Sequence, residues 1–400
     1  MHYLGIDWAT DKHDICLMAD DGTILSQFEI THNMKGFRQL HHLLENLPDV
    51  RINIERSDGL LVDWLVQQNY DLFITPPNVL AHRRPTRVKD DKGDAFLLAY
   101  LLRLQDLDCR PYSHQSQIVT HLKQLVRAYD HTLNEQRRLN NQLIYNLRQY
   151  YPLALTLFTQ SYSLILLAFL EQYPTPQEAA QITYFDLETF LRSQKYSHIK
   201  RLDLLYKRLK VPMPEASVQD GYVEHIKVLI PLMQMLYRQK ADLIKQITQV
   251  FRSHPEAEWW LTFPGTRGPL TPARLLAWIG DNRGRFPTAE VLQATAGTVP
   301  ITRRSGKSLS VEFRNGCSHP LRNVADDLAR QSLRHSGWAR AYYQQQLDRG
   351  HSAARSYRAL ANRWMKIVWT LWQRRETYDE AKHVANRSRK GMQLLLADAI

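Results

Sequence analysis

Four acidic side chains stand at spacings that could gather them. Asp7 closes an apolar run in Gly5-Ile-Asp-Trp-Ala9, Glu55 closes another in Asn53-Ile-Glu-Arg56, and Asp91 and Asp94 belong to Lys89-Asp-Asp-Lys-Gly-Asp-Ala95. Carboxylates at the ends of neighbouring strands converge, and residues three apart on a helix face the same way. Crowded carboxylates repel one another unless a cation sits among them. Four hard oxygen donors suit two Mg²⁺ ions that hold the attacking and leaving oxygens of a phosphodiester. Singly, each acid has a plainer reading, as an N-cap at a helix start or a solvated group at a strand end. Asp90 would point away from Asp94, whereas Asp11, Asp14 and Asp58 could substitute within the set.

A second constellation is Ile301-Thr-Arg-Arg-Ser-Gly-Lys-Ser308. Ser305 precedes a glycine on an expected tight turn, and Arg303, Arg304 and Lys307 could bind a phosphate and stabilise charge developing at phosphorus. Ser308 and Ser310 are rival nucleophiles, and an ordinary solvated basic loop has the same composition. A third is Pro264-Gly-Thr-Arg-Gly268 before a helical pattern. It is similar to a helix-hairpin-helix turn, in which Gly265, Arg267 and Gly268 would present backbone N–H groups to a DNA phosphate. The basic segment with Arg83, Arg84, Arg87 and Lys89 lies just before the acidic helix and suits a nucleic-acid backbone beside the metals.

The elements that must position these residues follow from periodicity. Residues 3–7, 15–19 and 24–30 are β-prone, and Asp20, Asp21 and Gly22 make a hairpin turn between the last two. A helical stretch at 34–47, a strand at 52–55, a helix at 60–68, a strand at 71–75 and the acidic helix complete a βββαβαβα order. That order predicts an α/β domain with a mixed sheet, for which an RNase H-like fold is the natural frame. Apolar residues at three-and-four spacing predict long helices over 117–150 and 223–251. They suit an antiparallel coiled coil or dimerisation arm, or equally two helices of a bundle core. Short helices and loops are expected between them. The texture changes again near residue 256, and Trp364, Val368 and Trp372 form a stripe that reads as core. The domains expected are therefore 1–112, 113–255 and 256–400.

The chain has 400 residues and a formal net charge of +12. Residues 1–60 hold five basic and ten acidic side chains, whereas residues 301–400 hold nineteen basic and eight acidic ones. Such a split suits metal binding at one end and polyanion binding at the other. With 44% hydrophobic and 23% charged residues, global disorder is excluded. Three widely separated cysteines offer neither a zinc pattern nor a disulfide framework, which predicts a reducing cytoplasm. No signal peptide is expected at residues 1–14, and the uncharged stretch 151–170 is too interrupted for a membrane span.

Together these residues resemble the insertion-sequence-110 family of transposases, the DEDD-type enzymes related to pilin-gene invertases. Gly5-Ile-Asp7, Glu55, Pro76-Pro77-Asn78 and Lys89 followed by Asp91-Lys-Gly-Asp94-Ala95 match the family's acidic motifs in order. Pro264-Gly-Thr-Arg-Gly-Pro-Leu-Thr, Ile279-Gly-Asp281, Arg285-Phe286, Ala296-Gly297, Val299-Pro300, Ser305-Gly306 and Leu321-Arg322 match its C-terminal transposase domain. The chain departs from the pattern at Lys89-Asp90-Asp91, where the family has Lys-Thr-Asp, and at Asn315-Gly316, where it has Gly-Asn. The resemblance implies a RuvC-like, RNase H-fold domain, a coiled-coil insertion and a helical C-terminal domain. It implies Asp7, Glu55, Asp91 and Asp94 as ligands of two Mg²⁺ ions per active site, and Ser305 as the nucleophile of a covalent 5′-phosphoserine link to double-stranded DNA. Element ends and target would be the DNA partners, with a structured noncoding bridge RNA as guide. Tetramers built as dimers of dimers, combining domains of different subunits, would work at the bacterial nucleoid. Two other readings of the residues are a metal-only junction nuclease, which uses water and leaves free 5′-phosphates, and a non-catalytic nucleic-acid scaffold.

Overall fold

A computed structural model describes residues 1–84, 90–158, 163–212, 214, 219–265, 268–305 and 308–386, except for the side chains of 78, 303–305, 308 and 309. The chain divides into two compact units, Met1–His114 and Gln115–Ile400.

The first unit is a six-stranded sheet of β1 (His2–Trp8), β2 (Lys12–Ala19), β3 (Ile24–Thr31), β4 (Val50–Ile54), β5 (Asp71–Ile74) and β6 (Arg110–Pro111) in the order β3-β2-β1-β4-β5-β6. β1, β4 and β5 run parallel, and β2, β3 and β6 are antiparallel to their neighbours. Helices α1 (Met34–Glu45), α2 (Leu60–Gln67), α3 (Pro77–Arg83) and α4 (Asp91–Arg103) complete it. Alternation along β1 sorts its side chains to two faces. Leu4 and Ile6 enter a core with Phe37 and Leu40 of α1 and Leu61 and Leu65 of α2. Tyr3 enters a core on the other face with Ala95, Ala99 and Leu102 of α4. Because both faces are covered, β1 is apolar almost throughout rather than alternating.

The second unit is helical apart from one hairpin. Its long helices are α5 (Gln117–Tyr150) and, after the short helices α6 (Ala154–Leu157), α7 (Leu164–Gln172), α8 (Pro176–Gln181), α9 (Tyr184–Ser193) and α10 (Leu202–Leu209), α11 (Asp220–Arg252). α5 and α11 lie antiparallel, each contributing to two cores. Val119, Leu122 and Val126 join Leu243, Ile247 and Phe251 in one core. Leu139, Leu143 and Leu147 join Val223, Ile226 and Met233 in the other, against the short helices. The first core continues through α12 (Ala257–Trp260), α13 (Leu270–Ile279), α14 (Ala289–Thr295), α15 (His319–Ser332), α16 (Gly337–Asp348) and α17 (Ala353–Arg374). Trp364, Val368 and Trp372 are fully buried there, which bears out the reading of that stripe as core.

Strands β7 (Ile301–Ser305) and β8 (Ser308–Glu312) form a two-stranded antiparallel hairpin in the stretch expected to be a basic loop. No helix among the described residues is long and apolar enough to cross a membrane.

Candidate metal centre and nucleic-acid interface

The acidic site begins at Gly5. A Cβ there would stand 2.0 Å from the Ala95 carbonyl oxygen and 2.6 Å from the Ala99 nitrogen, so only glycine lets α4 lie this close to β1. Asp7 is two residues further along the same face, which aims it at the N-terminal turn of α4. Asn53 is the parallel neighbour of Gly5. Fully buried, it donates to the Leu98 carbonyl at 2.9 Å and accepts from the Thr75 hydroxyl at 3.0 Å, which pins α4 to the sheet. Asp90 caps α4 by accepting from the Gly93 N–H at 3.2 Å. With Asp90 fixed as the cap, Asp91 and Asp94 share the next turn and face β1.

Asp7, Asp91 and Asp94 each bring a carboxylate oxygen to within 4.8 Å of the other two. Asp7 and Asp94 are buried, at 4% and 2% exposure, while Asp91 is open to solvent. Glu55 follows β4 one residue beyond the Ile6–Ile54 pair, the last of the β1–β4 ladder, as Asp7 does on β1. Its carboxylate is not in the three-acid group, but its charge reaches the same place, as Arg84 shows. The Arg84 guanidinium donates two hydrogen bonds to Asp94, Nε to Oδ1 at 2.6 Å and Nη2 to Oδ2 at 2.5 Å. Those bonds, followed by the charges of Asp94, Asp7 and Glu55, raise the Arg84 pKa above its ordinary value. An arginine thus supplies positive charge at the pocket.

Asp14 is paired with Asp7 across the β1–β2 ladder and therefore shares its face. Burial, then the charges of Glu29 and Asp91, push its carboxyl above the usual range. That register is set by the short β1–β2 connection at residues 9–11, whereas the Asp20-Asp21-Gly22 turn joins β2 to β3. Asp58 lies 3.5 Å from Arg56 in an ion pair, and Asp11 is exposed. The Arg84–Asp94 pair left no trace in the sequence, because ten residues of spacing have no periodicity to link them.

The donor set fits a hard divalent cation. Three carboxylates converge without a nitrogen or sulfur donor, two of them buried, and such a group is stable only with compensating positive charge.

The other sequence candidates are distributed as follows. Arg83 pairs with Asp106 at 3.0 Å and Asp108 at 3.6 Å and is half exposed. Arg87, Lys89, Arg267 and Lys307 lie outside the described residues. Gly265 has a φ of +87°, and a Cβ there would stand 2.7 Å from the backbone of Gln331, so its glycine serves packing of the turn onto α15. Around Gly268 there is open space. Arg303, Arg304 and Ser305 lie on β7, where Ser305 is the last residue and pairs with Ser308. Ser310 is exposed and pairs with Arg303 across the hairpin.

The second unit is tied together by two arginines, Arg274, which the motifs did not single out, and Arg322 of the Leu321-Arg322 motif. Arg274 of α13, 8% exposed in its side chain, bridges Asp130 of α5 at 2.9 Å and Asp327 of α15 at 2.7 Å. Arg322 of α15 donates to the Arg314 carbonyl. Gly297, with a φ of +63°, gives that guanidinium room, since a Cβ would stand 2.3 Å from Arg322 Nη2.

Comparison with known proteins agrees with this layout. Residues 4–152 match the DEDD transposase model of the IS110 group, described as "Transposase", and residues 260–344 match "Transposase IS116/IS110/IS902 family". The chain is 32% identical over 404 residues to a Streptomyces coelicolor protein named as the mini-circle transposase for IS117, with 96% of each chain covered. It is 25% identical over 298 residues to the 43.6 kDa protein of insertion element IS110 from the same species, covering 73% of this chain and 72% of the relative. It is 23% identical over 399 residues to the 42 kDa protein of insertion element IS900 of Mycobacterium paratuberculosis, covering 96% and 98%. Family match, near-full-length identity and an acidic cluster at the predicted strand end and helix start converge: this chain belongs to the IS110 family of transposases, enzymes that move DNA.

Proposed function

We propose that the protein cleaves and rejoins DNA through a covalent phosphoserine at Ser305, assisted by Mg²⁺ held by Asp7, Glu55, Asp91 and Asp94. The observation that carries the metal half is the convergence of Asp7, Asp91 and Asp94 around one point. The observation that supports the serine half is the position of Ser305 at the end of β7, beside Arg303 and Arg304 in sequence. Two Mg²⁺ ions, when bound, neutralise charge on the phosphate and on the oxygens entering and leaving it. Ser305 loses its hydroxyl proton and bonds through Oγ to phosphorus. The P–O3′ bond breaks, and the departing 3′ oxygen takes up a proton. Attack by a 3′-hydroxyl of a new partner strand reverses the step and returns the serine, so no ATP is consumed. Arg84, Arg303, Arg304 and Lys307 hold phosphates, with Arg83, Arg87, Lys89 and the Gly265–Gly268 turn along the duplex.

The strand order, with three antiparallel strands leading into parallel β4 and β5, supports an RNase H-like reading of the first unit. The antiparallel α5–α11 pair supports a coiled-coil dimerisation arm within residues 113–255, between a catalytic domain at 1–112 and a transposase domain at 256–400. A noncoding guide RNA as second polyanion and a dimer-of-dimers assembly complete the proposal, and the charge of +12 suits both nucleic acids.

The test is a trapping assay. The full-length protein is incubated with Mg²⁺, the RNA transcribed beside its gene, and labelled DNA carrying a nick near the element end, then resolved under denaturing conditions. A protein–DNA adduct that Ser305→Ala abolishes is expected. An adduct surviving in Ser305→Ala, or cleavage with free 5′-phosphates and no adduct, overturns the serine assignment and favours a water-using nuclease.

A further inference from the structure

At the foot of the β7–β8 hairpin the second unit holds a half-open cavity of about 380 Å³. Phe313 and Tyr342 supply aromatic walls, Gln346 and Asn362 supply carboxamides, and Arg355, Arg358 and Glu312 stand around them. Three features set it apart from a gap between helices. First, the Phe313 ring is 40% exposed yet has two guanidinium groups, those of Arg322 and Arg358, each 4.2 Å from its centroid. Both guanidinium groups lie at stacking distance from the ring, and Arg358 also lines the cavity, so Phe313 backs a planar cation of the kind on which an unstacked base lies. Second, the Arg358 Nε is buried with no hydrogen-bond partner among the described residues. The charge of Arg358 is balanced by Asp326, but the buried Nε–H itself lacks an acceptor, a cost that a ligand's acceptor would remove. Third, Gln346 is only 5% exposed, and its Oε1 is held by His351 Nδ1 at 3.0 Å. The Asn362 Oδ1 is likewise held by the Thr298 hydroxyl at 3.0 Å. Fixing both carboxamide oxygens orients the two NH₂ groups as donors, and Glu312 adds an acceptor. Donors and an acceptor on the edge of an aromatic slot are the means by which unstacked bases are read.

We propose that this pocket takes one unstacked nucleotide of a DNA strand, its base against Tyr342 and the Arg358 guanidinium that Phe313 backs, and its phosphate toward Arg355. The choice of DNA rests on the reading of Ser305 as the DNA nucleophile. Ser305 lies four residues along β7 from Ile301, whose neighbour Pro300 lines the pocket. At about 3.4 Å per strand residue that is roughly 14 Å. At about 3.4 Å per stacked nucleotide, the captured base lies about four positions from the attacked phosphate, and fewer where the strand is drawn out. Extraction of a base from the stack is unfavourable, and stacking and edge contacts in the pocket offset it. The pocket thereby holds a cleaved strand open near the serine.

The test uses the full-length protein and a DNA duplex with a six-nucleotide single-stranded tail, each tail position in turn carrying 5-iodouracil for photocrosslinking. The expected crosslink maps to Tyr342. Tyr342→Ala and Asn362→Leu should each weaken binding of the tailed DNA about tenfold while leaving blunt-duplex binding unchanged, and Tyr342→Phe should retain it. Melting curves superimposable on those of the parent protein identify variants that fold. Crosslinks confined to other residues, or tail affinity unchanged in both folded variants, overturn the proposal. So does a ribonucleotide tail that crosslinks here when the DNA tail does not, since the occupant is then the RNA. Ser305→Ala should crosslink as the parent does, so a failed trapping assay with an intact crosslink strikes the serine reading and leaves the pocket standing.

Discussion

Arg84 is the sharpest lever on the acidic site. Its bidentate grip on Asp94, with Asp94 2% and Arg84 21% exposed in their side chains, places a cation where a metal must find a ligand. A divalent ion that recruits Asp94 must displace two charge-assisted hydrogen bonds, each worth roughly 1.5–3 kcal/mol net. Replacing Arg84 by Met removes the competitor and keeps the aliphatic stem. Mn²⁺ affinity measured by calorimetry should therefore tighten by about tenfold or more, since about 1.4 kcal/mol is a factor of ten. Without metal the same variant leaves Asp7, Asp91 and Asp94 facing one another with less counter-charge, so it should melt below the parent protein. Added Mn²⁺ should then raise its melting temperature by more than it raises the parent's. Asp94→Asn in the Arg84→Met background should abolish the gain. If Mn²⁺ affinity is unchanged or weaker in Arg84→Met, the guanidinium does not compete with metal, and the assignment of this cluster as the ion site is wrong.

Three further outcomes follow from the packing. Gly5→Ala places a methyl group against two backbone atoms of α4, and should cost roughly 1–3 kcal/mol in urea unfolding while weakening Mn²⁺ binding, because Asp91 and Asp94 move with that helix. His13 is fully buried, and burial first, then the charge of His32, lowers its pKa to about 4 from 6.5. The unfolded chain takes up that proton as the pH falls below about 6.5 while the folded chain refuses it until about 4. Stability is thus complete above that window and is lost on acidification, by roughly 2 kcal/mol between pH 7 and pH 5. His13→Gln should flatten that part of the pH–stability curve, and an unchanged slope would refute the assignment. Arg274→Met strips two carboxylates of a buried partner and should cost about 3 kcal/mol by denaturant titration, with Asp130→Asn restoring part of the loss.

What the sequence disclosed, and what it hid, follows one physical division. The long helices were legible because leucines at three-and-four spacing must face a partner, and α5 (Gln117–Tyr150) has the span that its spacing predicts. The first three strands were legible from short apolar runs and a strong turn at Asp20-Asp21-Gly22. The β7–β8 hairpin was hidden because Thr302-Arg-Arg-Ser305 carries no apolar residue and the alternation in Ser308-Leu-Ser-Val311 spans only four positions. β6, at two residues, is too short to carry any pattern. In the site, Asp91 and Asp94 were separable from Asp90 by helical geometry alone. Asp7 was singled out as a strand end, but its approach to α4 depends on the absent side chain of Gly5 and on Asn53, both non-local effects. The α5–α11 pair shows a similar limit. Periodicity announced two helices, but only the assembled cores show that opposite ends of each meet.

The central claim joins a serine on a basic hairpin to DNA. Its most direct measurement is mass spectrometry of the nuclease-digested, protease-digested adduct. The account predicts a nucleotide mass attached through phosphate to the peptide containing Ser305, absent when Asp7 or Asp94 is replaced by Ala or when divalent metal is chelated. A nucleotide on Ser308, on Ser310 or on any other residue would contradict it, as would a Ser305 adduct that forms undiminished without metal.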